Sequence, residues 1–411
     1  MSATTTVSAP RTTAISPVLI TVLGLLSVFP PFALDMYLPA FLPIGRDLRA
    51  SATGVQLTIT GLLLGMAAGQ FAAGLLSERF GRRTPLLVCL ALCTAAGALC
   101  AIAPTIGVLV AARFVQGLTG SAGIVIGRAI VSDTARGREA ARIFGLLMGI
   151  LGVATVVAPL AGGVLTGLVG WRGVFTALAL LSLLMFLAAL VAIPDTLPEH
   201  RRGAGTARVV RGLLLDRGFL GYALAFALAF GALMAYVAAS PFVLPNLLGL
   251  STATFSLAYA LNALGLLIVS TLNARLVYRF SPHRLLRTGL AILFVAAAAL
   301  AVLSLTGRLT EATCLPLLLV AVSSLGLVLG NACALALGRA PEAAGAASGL
   351  IGTLQYAFGA LVAPAAGVRG DRSALPMALI MGACALLALV APAFMKGSPA
   401  ARPGRSRVFE D

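Results

Sequence analysis

Residues 143–168, IFGLLMGILGVATVVAPLAGGVLTGL, form an apolar run that contains no charged side chain. At about 1.5 Å per residue, a helix of this length crosses the ~30 Å hydrocarbon core of a bilayer. A second run follows at 171–194, WRGVFTALALLSLLMFLAALVAIP, in which Arg172 is the only charged residue. Two bilayer-length runs in succession predict two transmembrane helices joined by a short turn.

Ten further apolar runs surround this pair, so the sequence predicts an all-α membrane protein with twelve transmembrane helices. The predicted spans are 17–43, 53–76, 84–104, 106–131, 143–168, 171–194, 218–243, 251–274, 288–306, 313–337, 345–368 and 374–395. The composition agrees, because 60% of residues are hydrophobic and only 10% are charged. Soluble domains carry about 25% charged residues, so the expected solvent is a lipid bilayer.

The net charge of +16 raises the question of nucleic-acid binding, but the basic residues fall in short clusters between apolar spans. That distribution is typical of membrane topology and argues against a nucleic-acid partner. With the N-terminus inside, 21 basic residues lie in cytoplasmic segments and 6 in outer loops. The bias predicts that both termini are cytoplasmic.

The longest break between spans divides the chain into two similar halves. Arg79-Phe80-Gly81-Arg82-Arg83 is echoed at 279–284, and Ala158-Pro159-Leu160-Ala161-Gly162 is echoed at 363–367. Two parallel six-helix repeats with a site between them are a known transporter design. The predicted organisation is a cytoplasmic tail at 1–16, a six-helix bundle at 17–194, a cytoplasmic linker at 195–217, a second bundle at 218–395 and a cytoplasmic tail at 396–411.

Asp35 is the only one of 13 acidic residues that lies well inside a predicted span. An acid in hydrocarbon costs several kcal/mol unless it faces a cavity or a partner, so Asp35 is a candidate proton carrier. A structural acid satisfied by a basic neighbour is the alternative. Arg113 lies at a similar depth, since both are about 10–12 Å from the outer ends of their spans. The two side chains could pair in a central cavity and couple proton binding to conformation.

A charged loop joins predicted spans 2 and 3, Gly74-Leu-Leu-Ser-Glu78-Arg79-Phe80-Gly81-Arg82-Arg83. It resembles the loop motif between helices two and three of the major facilitator superfamily, with Glu where most members have Asp. Its glycines permit a tight turn, Glu78 can face a helix N-terminus of the other half, and Arg82 or Arg83 could bind Asp133. The residues predicted to form this cytoplasmic latch are Gly74, Glu78, Arg79, Gly81, Arg82, Arg83 and Asp133. Topogenic charge alone would explain the arginines but not the glycines.

Two further segments carry the resemblance. Arg113-Phe-Val-Gln116-Gly117 resembles the helix-four motif of the superfamily, and the segment with Pro159, Gly162 and Gly163 resembles the helix-five motif of its antiporters. The segment Asp35-Met36-Tyr37-Leu38-Pro39, followed by Gln56 and later by Arg128-Ala-Ile-Val-Ser-Asp133, resembles the Bcr/CflA drug-resistance subfamily and MdfA-type and phenicol exporters. The resemblance implies export of small drug-like compounds in exchange for protons.

Aromatic, Met and amide side chains in the central spans could line an adaptable apolar cavity for a hydrophobic or amphiphilic substrate. The candidates for substrate binding are Phe32, Asp35, Met36, Tyr37, Gln116, Met148, Met234, Tyr236, Tyr259 and Asn262. The resemblance implies phenicol-, bicyclomycin- or sulfonamide-like substrates and a monomeric carrier. No metal or cofactor is expected, because the proton motive force supplies the energy.

Other functions fit the sequence less well. A facilitator or symporter for a sugar or organic acid predicts more polar residues in the central spans than are present. A membrane enzyme needs a nucleophile, a metal cluster or an acid–base pair, and the spans contain one acid and no histidine. A channel is disfavoured because a two-fold repeat of helices suits alternating access better than a fixed pore.

Overall fold

The protein is described here by a computed structural model covering residues 16–135, 137–197, 206–340, 344–366 and 373–394. Within these ranges the chain is helical and contains no strand. The helices are α1 (Pro17–Asp35), α2 (Phe41–Asp47), α3 (Ala52–Phe80), α4 (Arg83–Ala101), α5 (Ile106–Gly120), α6 (Ala122–Thr134), α7 (Gly137–Ala192), α8 (Thr206–Leu215), α9 (Arg217–Phe242), α10 (Thr252–Leu276), α11 (Pro282–Leu305), α12 (Glu311–Leu337), α13 (Ala344–Ala366) and α14 (Leu375–Phe394).

The predicted all-α membrane fold is confirmed. In the described part of the chain, eleven helical segments are long and apolar enough to cross a membrane. One of them, Arg142–Ala192, has 51 residues, which is enough for two crossings. Its backbone leaves the helical conformation at Gly170, where φ is 70°. A side chain would disfavour that φ, so Gly170 provides the turn between the two crossings and brings the number to twelve.

Two predicted spans are interrupted. The first continues past α1 through a 3₁₀ turn at Leu38–Ala40 into α2, so it ends near Asp47 rather than at 43. The fourth consists of α5 and α6, which are separated at Ser121. We refer below to the two membrane faces by the residues found there, as the Asp47 end and the Arg82 end.

Helix packing in the two halves follows the same plan, as the internal repeat predicts. In the first half α1 packs on α7, α3 on α5, and α4 on α5 and α7. In the second half the corresponding pairs are α9 with α13, α10 with α12, and α11 with α12 and α14. The halves meet along two symmetry-related pairs, α3 with α13 and α7 with α10. This pseudo-symmetric arrangement places an interface between the halves in the middle of the membrane.

Small residues set the closest helix contacts. A Cβ atom added at Gly65 of α3 would overlap the carbonyl oxygen of Phe114, and one at Gly117 of α5 would overlap that of Leu62. The two backbones are therefore in direct contact, as small-residue interfaces allow in membranes. Because α5 also carries Arg113, this contact fixes the depth and direction of the arginine.

Part of the predicted linker is helical. Helix α8 lies within 195–217, and Leu213 on it packs with Phe219 and with Ala336 and Ala340 at the end of α12. The linker is therefore attached to the second half along one apolar side, whereas the sequence predicts only a solvated connection. The predicted tails fall outside the described residues, apart from Ser16.

Candidate functional site

Asp35 lies at the C-terminal end of α1, against the interface between the halves, and its relative exposure is 4%. The Tyr259 hydroxyl of α10 donates a hydrogen bond to Asp35 Oδ1 at 2.9 Å. A hydroxyl donating to an ionised carboxylate forms a charge-assisted hydrogen bond, which is stronger than a neutral one. Asp35, the one acid that the described residues place inside a membrane span, thus connects the first half directly to the second.

Tyr259 belongs to a buried polar cluster of the second half. Its ring stacks on that of Tyr236 from α9, with the centroids 5.3 Å apart and the planes 20° from parallel. The Tyr236 hydroxyl accepts a hydrogen bond from Asn262 Nδ2 at 2.8 Å. We call Asp35, Tyr236, Tyr259 and Asn262 the interface cluster. Its contacts link α1, α9 and α10, so a change at Asp35 acts on helices of both halves.

Arg113 is fully buried on α5. Its Nη2 donates to the carbonyl oxygen of Ala33 at 2.6 Å, and its Nη1 donates to Gln116 Oε1 at 2.7 Å. The guanidinium also lies over two aromatic rings, 4.1 Å from the centroid of Tyr37 and 5.5 Å from that of Phe175. These cation–π contacts and two acceptors compensate for burial of the charge.

The sequence analysis allows Arg113 and Asp35 to pair, and the structure does not show that ion pair. Arg113 instead binds a carbonyl on α1 two residues before Asp35. Two buried donors nearby, Arg113 Nε and Gln116 Nε2, have no hydrogen-bond partner among the described residues. A buried donor without a partner costs about 1–3 kcal/mol, so this region favours a ligand that offers oxygen acceptors.

The predicted substrate-binding residues divide into two groups. Buried at or near the cluster are Asp35, Met36, Tyr37, Gln116, Met234, Tyr236, Tyr259 and Asn262, with Phe32 partly buried. Met148 differs, because it is 48% exposed on α7. Its predicted place in an enclosed pocket is therefore not supported. The spacing of apolar residues along α7 does not show which side of the helix is packed against the protein, so the sequence could not distinguish Met148 from a buried residue.

Other contacts at the interface were not predicted. The Tyr37 hydroxyl and Thr58 Oγ1 are hydrogen-bonded at 3.1 Å. Gln56 Nε2 of α3 donates to the carbonyl oxygen of Ala238 in the second half at 3.0 Å. The rings of Phe41 and Phe242 also meet across the halves, 5.6 Å apart. The last two contacts join the halves near the Asp47 end, whereas the first lies within the first half. A polar residue within an apolar span, such as Gln56, is the sequence signal that could have found the polar one of these two.

The predicted latch forms in part. Arg82 Nε makes an ion pair with Asp133 Oδ2 at 3.0 Å, whereas Arg83 Nη2 donates to the carbonyl oxygen of Leu190. Asp195, which the sequence analysis does not single out, accepts a hydrogen bond from the Arg82 backbone N–H at 2.9 Å. Its carboxylate occupies the space that a Cβ at Gly81 would need, and Gly81 has φ 87°. These contacts of the two arginines join α4, α6 and the end of α7 within the first half.

The helix-five segment makes two close contacts. A Cβ atom at Gly162 would overlap the carbonyl oxygen of Met36, and one at Gly163 would overlap the hydroxyl of Ser256 on α10. Gly162 thus lets α7 approach the residue next to Asp35, while Gly163 lets it approach the other half. Pro159 lies buried one turn before them.

We expect Gly162→Ala to destabilise the protein, because the new methyl group must displace the backbone at Met36. Overpacking of this kind costs about 1–3 kcal/mol. Thermal unfolding of purified protein in detergent should show a melting temperature several degrees lower. Gly149→Ala on the same helix is the matched control, since nothing lies within 4 Å of its added Cβ atom. Equal melting temperatures for the two variants would contradict the close contact.

Comparisons with known proteins agree with this architecture. The chain is 37% identical over 90% of its length to an uncharacterized MFS-type transporter YdgK of Bacillus subtilis, covering 93% of that protein. It is 32% identical to a bicyclomycin resistance protein homolog of Haemophilus influenzae, over 92% of this chain and 96% of the relative. A multidrug resistance protein MdtL of Escherichia fergusonii is 28% identical, over 90% and 94% of the two chains.

Solved structures match the fold over nearly the whole chain. A D-xylose-proton symporter superposes with a TM-score of 0.72 at 15% identity, covering 93% of this chain and 98% of the other. A bacterial homolog of the human lysosomal transporter Spinster, in an inward-facing and occupied conformation, gives 0.69 at 17% identity, with 92% and 95% covered. The sequence profile of the Major Facilitator Superfamily matches residues 23–364. The described residues form twelve membrane crossings in two matching halves, and the profile and the relatives show that the chain belongs to the Major Facilitator Superfamily of transporters.

Proposed function

We propose that this transporter exports small amphiphilic organic compounds from the bacterial cytoplasm in exchange for protons. The observation that carries the proposal is the buried Asp35, the one acid among the described residues inside a membrane span, held by Tyr259 of the opposite half. The relatives named for bicyclomycin and multidrug resistance support drug-like substrates. Phenicol-, bicyclomycin- and sulfonamide-like compounds are the classes we expect.

Proton exchange follows from the chemistry of the hydrogen bond between the halves. An ionised Asp35 accepts strongly from the Tyr259 hydroxyl and stabilises the contact between α1 and α10. Protonation removes the negative charge and weakens that contact, so the halves can separate at the Asp47 end. A substrate arriving from the Arg82 end competes with the proton for the same cluster. Alternating access with one shared site then gives antiport.

The surroundings of the cluster suit an uncharged or weakly charged ligand. Tyr236, Tyr259 and Met234 provide stacked and adaptable apolar surface. The donors without partners on Arg113 and Gln116 lie near the same level and could bind carbonyl, nitro or sulfonyl oxygens. Such a combination of apolar walls with a few polar groups is typical of small-molecule sites.

The membrane orientation is also part of the proposal. The clustering of basic residues on one side supports an orientation with the Arg82 end, both termini and the 195–217 linker in the cytoplasm. The contacts between the halves near the Asp47 end then close the periplasmic side in this structure. We expect the transporter to act as a monomer in the inner membrane, because each chain carries both halves of the interface.

Everted membrane vesicles from an efflux-deficient host test the function. Respiration acidifies the vesicle lumen, and addition of chloramphenicol, bicyclomycin or sulfamethoxazole should discharge the pH gradient as the drug enters and protons leave. Acridine orange fluorescence reports this discharge. Further acidification on substrate addition would indicate symport, and no response to any of the three classes would contradict drug export.

The latch gives a separate prediction. Asp133→Ala should lower export on the order of tenfold with near-normal expression, because the Arg82–Asp133 ion pair is largely shielded, with side-chain exposures of 9% and 21%. Drug-export rates normalised to protein amount measure the effect. Asp47→Ala is the matched control, since its ion pair with Arg172 is about half exposed at the opposite end. Unchanged export in Asp133→Ala would remove the latch from the mechanism.

A further inference from the structure

The two halves enclose a cavity at the Asp47 end, apart from the interface cluster. Its volume is about 330 Å³, at the lower end of the roughly 300–1,000 Å³ that small-molecule sites occupy. Phe41, Leu42, Arg46 and Val55 line it from the first half, and Phe242 and Asn246 line it from the second. Arg46 and Asn246 are exposed residues, so the cavity opens to solvent. A small ligand bound here therefore touches both halves.

The inner wall of the cavity is apolar and aromatic. The rings of Phe41 and Phe242 meet across the halves with their centroids 5.6 Å apart, and both residues are almost fully buried. Val55 of α3, also fully buried, adds aliphatic surface to the same cavity. Aromatic rings pack favourably against one another at centroid distances of about 4.5–7 Å. The wall therefore favours a ligand with a flat or compact apolar body.

The mouth of the cavity carries a positive charge. The guanidinium of Arg46 has no ion-pair or hydrogen-bond partner among the residues that the structure describes. Its neighbour Asp47 instead accepts hydrogen bonds from Trp171 and Arg172. A guanidinium presents a planar set of donors, which suits the oxygens of a carboxylate or sulfonate. The mouth therefore favours an anionic group on the ligand.

Asn246 lies on the opposite wall, in the second half. It belongs to a single π-helical turn, Val243–Leu247, that follows α9. Pro245 in this turn has no N–H group, so it cannot donate the α-helical hydrogen bond to Pro241. π-Helical turns are rare and frequently occur at functional sites. The turn places Asn246 on the cavity, where its amide can donate to the same anion as Arg46.

We propose that this cavity binds small aromatic carboxylates or sulfonates and that the bound anion holds the Asp47 end closed. Alternating access requires the halves to separate at this end, and separation moves the Phe41 wall away from the Phe242 wall. A ligand that contacts both walls binds the closed state more tightly, so it shifts the population towards that state. Such a compound inhibits the carrier without entering the interface cluster. The binding site stands on the cavity alone, whereas inhibition of export rests on the proposed function.

Isothermal titration calorimetry of detergent-purified protein with 2-naphthoate tests the binding, and 2-naphthamide is the uncharged analogue. Arg46→Gln should weaken naphthoate binding on the order of tenfold, the size of a charge–charge term near a protein surface, and leave naphthamide binding unchanged. Arg308→Gln, an equal charge change at an exposed position of the same end, is the matched control and should change neither. Ala52→Phe, which places a ring in the cavity, should remove binding of both compounds. No naphthoate binding by the wild type, or equal effects of the two arginine variants, would overturn the inference.

Labelling of Ala238→Cys reports whether the Asp47 end opens. Ala238 is fully buried, and its carbonyl oxygen accepts a hydrogen bond from Gln56 of the other half. A polar maleimide should reach this position only when the halves separate there, and the wild type gives the background from native cysteines. Saturating 2-naphthoate should slow the labelling several-fold, and the same concentration should have little effect when Arg46→Gln is added. Bound naphthoate with an unchanged labelling rate would overturn the inference. Slower labelling in a protein that does not transport chloramphenicol would support this site and contradict only the export function.

Discussion

Asp35→Asn is expected to abolish proton-driven export while leaving substrate binding measurable. Asparagine keeps the size of the side chain and can still accept a hydrogen bond from Tyr259, but it cannot take up or release a proton. Without an exchanged proton, the gradient cannot drive substrate uphill. Downhill movement of substrate should persist, because the apolar walls of the cluster are unchanged.

Proton release from detergent-purified protein is the direct measurement. Addition of chloramphenicol to the wild type should release protons into a weakly buffered solution containing a pH indicator, whereas Asp35→Asn should release none. Asp47→Asn is the matched control, because Asp47 is an exposed acid near the same end, bound to Trp171 and Arg172. If Asp35→Asn releases as many protons as the wild type, the coupling acid must be sought at Glu78 or Asp133.

A variant of Tyr259 can distinguish two roles of Asp35, which are to bind the proton and to join the two halves. Tyr259→Phe keeps the ring stacked on Tyr236 and leaves Asp35 able to titrate, but it removes the hydroxyl that joins the halves. Proton release on substrate addition should survive in this variant, while the link between proton binding and closure of the Asp47 end weakens. Comparison with Asp35→Asn thus distinguishes the proton carrier from its positioning residue.

The fold could be predicted from the sequence because lipid imposes a strict length on apolar runs. Arg172 is the only charged residue that marks the boundary between the runs at 143–168 and 171–194. The structure confirms two crossings, with a break at Gly170. The interruptions at Ser121 and after Asp35 were not predicted. Both lie inside continuous apolar patterns, so hydropathy has no signal for them, and only the packing of neighbouring helices decides where the chain bends.

The charges of the site were predictable because each of them interrupts an apolar span. Tyr259 and Gln116 were candidates for substrate binding, but their hydrogen bonds to Asp35 and Arg113 were not predicted. Tyr259 is 224 positions from Asp35 in the chain, and the choice of this tyrosine depends on how α10 is turned towards α1. Arg113 binds the carbonyl of Ala33 rather than the acid. The sequence places both charges at one depth, whereas their directions follow from the glycine contacts of α5 and α7.

Replacement of Arg113 should have the second largest effect. Arg113→Ala removes two hydrogen bonds and two aromatic contacts at a fully buried position and leaves Gln116 Oε1 without its donor. Disruption of a buried charged contact costs about 3–5 kcal/mol, which corresponds to roughly 10²–10⁴ in an equilibrium constant. We expect export to fall on the order of hundredfold or more, with a lower yield of folded protein.

Arg113→Lys distinguishes charge from geometry. Lysine keeps the positive charge, but one ammonium group cannot reproduce a planar fork that reaches Ala33 and Gln116 while lying over Tyr37. The lysine variant should therefore export poorly, though better than Arg113→Ala, and should fold at near-normal yield. Export rates normalised to folded protein compare the two. Full export by Arg113→Lys would show that charge alone matters here, and the hydrogen-bonded geometry at Ala33 would then have no part in coupling.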